Sequence, residues 1–282
     1  MTIITTNHKN HEPMTEPTIK NYPNVSQSFG ITGIVILGML LLSPVNFLLA
    51  KFFDKEVSML VYYLAAIGIP LLIVYSIKKR KTDDYSFNLE IKNNRIIPFV
   101  TIGALALLIG VISPIGNLIP MSESFRKIFM EMGAQTGLFA FILAVIAAPI
   151  LEELIFRGII LDGLLKNYSL LKSILISSLL FGLVHLNPWQ FITGFILGIF
   201  SGWVYYKTRS LLPSIIMHAA VNLFGFSMRY FVDTKSSIND SLVDVYGGIT
   251  NLIFTIAISI IILLACLYYL KNEFKKDASI QY

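Results

Sequence analysis

Stretches of about twenty apolar residues recur along this 282-residue chain, and they limit its folding choices more than any other feature. None of them alternates polar and apolar residues as a half-buried strand does. In hydrocarbon a backbone can satisfy its hydrogen bonds only as a helix or a closed barrel, so each stretch reads as a spanning helix. Composition agrees. With 55% hydrophobic and 14% charged residues, too few polar side chains exist to cover a soluble surface. The predicted fold is all-α, a polytopic transmembrane helix bundle of about eight spans.

The spans are expected near 29–50, 57–77, 96–119, 137–161, 171–187, 190–206, 211–231 and 246–270. Residues 1–28 are polar and hold His8, His11 and three prolines, as a disordered cytoplasmic tail would, and no signal peptide is read before the first span. Residues 29–136 then form the N-terminal spans, with an amphipathic surface helix over 121–134 whose Phe125, Ile128, Phe129 and Met132 share a face. A core over 137–231 follows, and 232–282 supply the last span and a cytoplasmic tail. Basic residues gather between the apolar stretches, most densely at Lys78, Lys79, Arg80, Lys81, Lys92 and Arg95. With an even number of spans most of them fall on one side, which puts both termini in the cytoplasm. The net charge of +5 is therefore a topology signal facing the lipid bilayer, and no nucleic-acid partner is expected.

Other features read as packing. Trp189, in the Asn187-Pro188-Trp189 turn, suits an aromatic belt. Gly194, Gly198 and Gly202 leave one helix face nearly bare, for close helix packing or, on a sharper reading, for a substrate helix. Cys266, the single cysteine, reads as a small apolar filler.

An ionisable group inside a bilayer is costly unless paired or hydrated, so each one needs a reason to be there. In Pro149-Ile150-Leu151-Glu152-Glu153-Leu154-Ile155-Phe156-Arg157, Glu153 and Arg157 are four apart and can pair on one face. Glu152 points about 100° away and must find a partner on another helix, or water. Pro149 frees a carbonyl one turn earlier. The fifth span offers Phe181 and His185, the seventh His218 and Asn222 on one face. Counting residues from the cytoplasmic ends puts Glu152 and His185 at roughly 20 Å and His218 and Asn222 at roughly 10–16 Å, depths that tilt and the Pro149 kink can bring level.

Such a set can hydrolyse an amide. A carboxylate in a pocket can take a proton from water, with a histidine holding that water, while a second histidine and an amide donate to the oxyanion. Two histidines and a glutamate, Glu152, His185 and His218, would equally suit a zinc ion with one open position. The residues leave these two routes open.

Glu-Glu-x-x-x-Arg at 152–157, Phe-x-x-x-His at 181–185 and His-x-x-x-Asn at 218–222, in this order on three spans, resemble the signature of the CPBP intramembrane proteases. That family includes the type II CAAX prenyl endopeptidases and bacteriocin-processing and immunity relatives. The resemblance makes 137–231 a protease core. It implies that Glu152 and His185 activate water, that His218 and Asn222 form the oxyanion site, and that Glu153 and Arg157 support them. The substrate would be a membrane-associated peptide or protein. An Ile-, Lys- and Asn-rich composition points to a bacterial cell membrane, where prenylated substrates are not expected. Competing readings are a non-catalytic immunity or scaffold protein, and a transporter using Glu152, His185 and His218 as a proton relay.

Overall fold

The computed structural model describes residues 21–231 and 241–279. The expectations for residues 1–20, including His8 and His11, and for 232–240 and 280–282 lie outside the described residues. Within them every regular element is helical. The long helices are α1 (Val25–Leu49), α2 (Lys55–Lys81), α3 (Ile96–Asn117), α5 (Leu138–Asn167), α6 (Leu170–Leu183), α7 (Pro188–Thr208), α8 (Leu212–Phe231) and α10 (Ile249–Ser279). Two shorter ones are α4 (Glu123–Gly133) and α9 (Leu242–Val245). Helical rods thus lie at all eight expected places.

Five of them, α1, α2, α3, α5 and α10, are long and apolar enough to cross a membrane. Helices α7 and α8 have the length, 21 and 20 residues, but carry the polar side chains of the site described below. Helix α6 is the departure. It stops at Leu183 after 14 residues, not near 187, and is only about 21 Å long. The first helix also begins earlier than expected, because Asn24 caps it in a reciprocal box with Gln27.

Helix α5 is the axis of the molecule. Its Phe156, Ile159, Ile160 and Leu164 pack with Ile31 and Val74 from α1 and α2 on one side and with Leu180 and Phe181 from α6 on the other. A second core joins Val100, Val204, Met217 and Leu270 from α3, α7, α8 and α10. The Glu56 carboxylate of α2 accepts from the Gly137 and Ala140 amides at 2.8 and 3.4 Å, capping the start of α5 from a neighbouring helix.

The glycine stripe of α7 packs. A Cβ at Gly194 would stand 3.2 Å from the Gly182 Cα, and one at Gly198 3.0 Å from the Ser178 Cβ, so α6 fills that face and no slot is left for a substrate helix. Cys266 is buried against Gly103, as a filler should be. Helix α4 lays Phe125 and Phe129 on the Trp189 ring at centroid distances of 5.1 and 5.9 Å, and the indole N–H donates to the Ile119 carbonyl. Lys78, the first of the basic run, turns inward. It is buried, donating to the Gly158 carbonyl at 2.9 Å and pairing with Asp162 at 3.3 Å.

Candidate active site

The polar side chains on α5 sit between two interruptions of its helical register. Residues Ile142–Ala147 and Phe156–Leu161 form π-turns, in which each amide reaches back five residues, not four. In the first turn the Ala148 amide donates to Leu143. The next donor in that register would be residue 149, reaching Ala144, but proline has none. The freed Ala144 carbonyl accepts from Asn222 Nδ2 of α8 at 2.8 Å. This is the vacancy expected of Pro149, and Asn222 occupies it.

Between the π-turns, Glu153 and Arg157 are both 1% exposed and bonded at 3.0 Å. The other Glu153 oxygen accepts from Ser201 of α7 at 3.1 Å, and the guanidinium lies 4.4 Å over the Phe181 ring and 3.4 Å from the Gly198 carbonyl. The structural ion pair is in place, and each charge has further hydrogen bonds to offset its burial.

Among the described residues Glu152 has no cation of its own at contact. Its Oε1 accepts from the Tyr63 hydroxyl of α2 at 2.5 Å, and its Oε2 lies 3.8 Å from His218 Nε2. The other nitrogen of His218, Nδ1, is 3.1 Å from Glu153 Oε1. A carboxylate only accepts, so Nδ1 carries the proton and Nε2 is turned toward Glu152. His218 thus comes level with the glutamate pair despite its shallower place in the sequence.

His185 is not in a helix. It follows the end of α6, in a turn whose Leu186 has φ 57°. Its Nδ1 is 2.8 Å from the Phe181 carbonyl, so Nδ1 again holds the proton and Nε2 is the free nitrogen. Both imidazoles stand edge-on to the Phe181 ring, with centroids 5.3 and 5.7 Å away. The turn satisfies its own backbone: His185 and Leu186 amides donate to Gly182 and Leu183, and Asn187 Nδ2 caps the His185 carbonyl. Irregular backbone at membrane depth requires this.

A zinc site needs three or more converging protein donors. Among the described residues no group of three His, Cys, Asp or Glu side chains is placed to hold a metal ion, so Glu152, His185 and His218 do not form that ligand set as arranged. Two contributors escaped the sequence, Tyr63 and Ser201. Tyr63 left a signal. It lies about 12 Å into α2, too deep for an interfacial belt, and a phenol at that depth needs a partner.

The arrangement is a set of carboxylates, imidazoles and an amide, carried on helices and one turn inside an integral membrane protein, a layout suited to membrane-embedded hydrolysis. Comparison with known proteins gives a family match over part of the chain. Residues 134–224, which hold all three motifs, match the model of the Rce1-like type II CAAX prenyl endopeptidases, and the resemblance drawn from those motifs holds over that segment. Over 90 residues the chain is 41% identical to UPF0177 protein YxdF of Lactococcus lactis subsp. lactis (strain IL1403), covering 32% of this chain and 49% of that protein. Over 88 residues it is 34% identical to Putative membrane peptidase YdiL of Bacillus subtilis (strain 168), covering 31% and 36%. The matched segment therefore spans about half or less of either relative's length. No solved structure matches the chain.

Proposed function

We propose that the chain is an intramembrane endopeptidase of the glutamate-activated type, cutting a peptide bond of a membrane-associated peptide or protein. The observation that carries this reading is Glu152, a carboxylate without a cation at contact, whose free oxygen faces an imidazole nitrogen 3.8 Å away. That gap is too long for a direct hydrogen bond, and a water beside the pair can touch both groups. Glu152 Oε2 takes the proton as the water oxygen attacks the carbonyl carbon. In this reading His185 turns its free Nε2 to the same water. The oxyanion is met by His218 Nε2, which donates when the ring carries both protons, and by the second N–H of Asn222. One good donor of this kind is worth about 3–4 kcal/mol. Collapse breaks the C–N bond, and the proton on Glu152 passes to the leaving amine.

In this reading residues 137–231 are the catalytic core, and residues 29–136 and 232–282 frame it. Both termini lie on the cytoplasmic side, where the basic segments gather. Both relatives named above come from bacteria, which supports a bacterial cell membrane. The relative named a membrane peptidase supports a peptide substrate over a transported ion.

The test is comparative peptidomics of cells carrying the wild type or Glu152→Gln. Peptides present only with the wild type are expected, together with an amount of inserted protein that does not differ. Identical peptidomes, with equal turnover by the two purified proteins, would overturn the reading.

A further inference from the structure

Tyr63 stands outside the segment that matches the protease family, yet it makes the shortest contact to Glu152. Its phenol must be the donor, because a carboxylate has only acceptors to offer. A separation of 2.5 Å is that of a hydroxyl bonded to a charged oxygen. The two neighbouring glutamates are held quite differently. Glu153 has both oxygens engaged, by Arg157, His218 and Ser201. Glu152 has one oxygen engaged, by a neutral group, and the other left facing His218. The terminal torsion of a glutamate is soft and nearly two-fold, so without an anchor its oxygens would trade places.

We propose that Tyr63 is a positioning residue for the hydrolytic reaction, and this rests on the endopeptidase reading above. By holding Oε1 it presents Oε2 to the water, and as a neutral donor it does so without pairing away the negative charge. It also brings α2 into the reaction. The next residue, Tyr62, faces the other way and donates to the Met39 carbonyl of α1 at 2.9 Å.

The experiment uses the purified full chain in liposomes and a pooled library of quenched-fluorescent peptides, with rates taken per folded molecule on the best-cleaved member. Tyr63→Phe is expected to lower kcat about 10–100-fold, as loss of a hydrogen bond to a charged group should, with KM changed less than about twofold. Tyr63→His, which keeps a donor, should recover part of that loss. In a Glu152→Asp background, where the carboxylate is drawn back from the phenol, Tyr63→Phe should cost less than about twofold. Tyr62→Phe removes an equivalent hydroxyl one residue away and should keep the wild-type kcat. A Tyr63→Phe enzyme with unchanged kcat, or with its loss confined to KM, overturns the proposal while the endopeptidase reading stands. A wild type no faster than Glu152→Gln on every library member overturns both.

Discussion

Asn222 donates to the Ala144 carbonyl at 2.8 Å, tying α8 to the π-turn before Pro149. The acceptor is available because residue 149 has no N–H. Pro149→Ala supplies one, which competes for Ala144. Activity is expected to fall about tenfold while the unfolding temperature holds or rises, since a proline inside a helix is replaced by the best helix former. Asn222→Ala leaves the carbonyl unpaired and should cost about 1–3 kcal/mol of stability as well as activity. Thermal unfolding and peptide cleavage, measured on the same samples, check both.

Arg157→Met leaves the buried Glu153 carboxylate without its cation, with only Ser201 and His218 bonded to it. A loss of about 3–5 kcal/mol is expected, seen as reduced folded protein in detergent. Adding Glu153→Leu should restore most of that stability, because two apolar side chains pack where the ion pair stood. It should not restore cleavage, since His218 Nδ1 has then lost its acceptor.

Gly182 touches the opposing helix three residues before His185. A Cβ there would stand 2.8 Å from the Phe191 carbonyl oxygen, a backbone atom that cannot swing away. Gly182→Ala should push α6 from α7 and destabilise the protein by about 1–3 kcal/mol. Cleavage should fall further than stability does, because the turn bearing His185 moves with the helix end. A variant with wild-type melting and turnover would contradict this.

The Asp84 carboxyl is held below the usual carboxylate range, chiefly by the hydrogen bond from Lys166 at 2.7 Å. Its folded value is the depressed one, so its contribution is complete above the unfolded value of about 4 and fades as pH falls below it. The group is well exposed, so Asp84→Asn should cost under about 1 kcal/mol at neutral pH. Melting curves of the two proteins should converge as pH drops below about 4.

If glutamate alone activates the water, chelators should leave cleavage intact. Turnover before and after treatment with 1,10-phenanthroline, followed by zinc addition, gives the measurement. Activity lost to the chelator and regained with zinc would require His185 to swing toward Glu152 and His218.

Charged residues in apolar helices announced themselves, because each must be paired or wetted. That is why Glu153–Arg157, the unpartnered Glu152, and the two histidines were legible, and why the all-helical fold was. The partners were not. Ser201 carries a hydroxyl that a spanning helix can satisfy on its own backbone, so its local sequence demands no explanation, and Tyr63, though deep in α2, carries nothing that says which helix it faces. The π-turns were invisible except through Pro149, because one extra residue per turn leaves no compositional mark. The early end of α6 has no mark in the sequence because Leu183, Val184 and Leu186 stay apolar around His185, and a leucine at φ 57° is not what a sequence suggests.

That early end has a physical consequence. A helix of about 21 Å falls well short of a hydrocarbon layer of about 30 Å. Six residues after that end, at Trp189, the Phe125 and Phe129 rings pack on the indole. On the endopeptidase reading proposed above, each bond cut consumes one water, and a helix that ends early offers that water a shorter path through the layer.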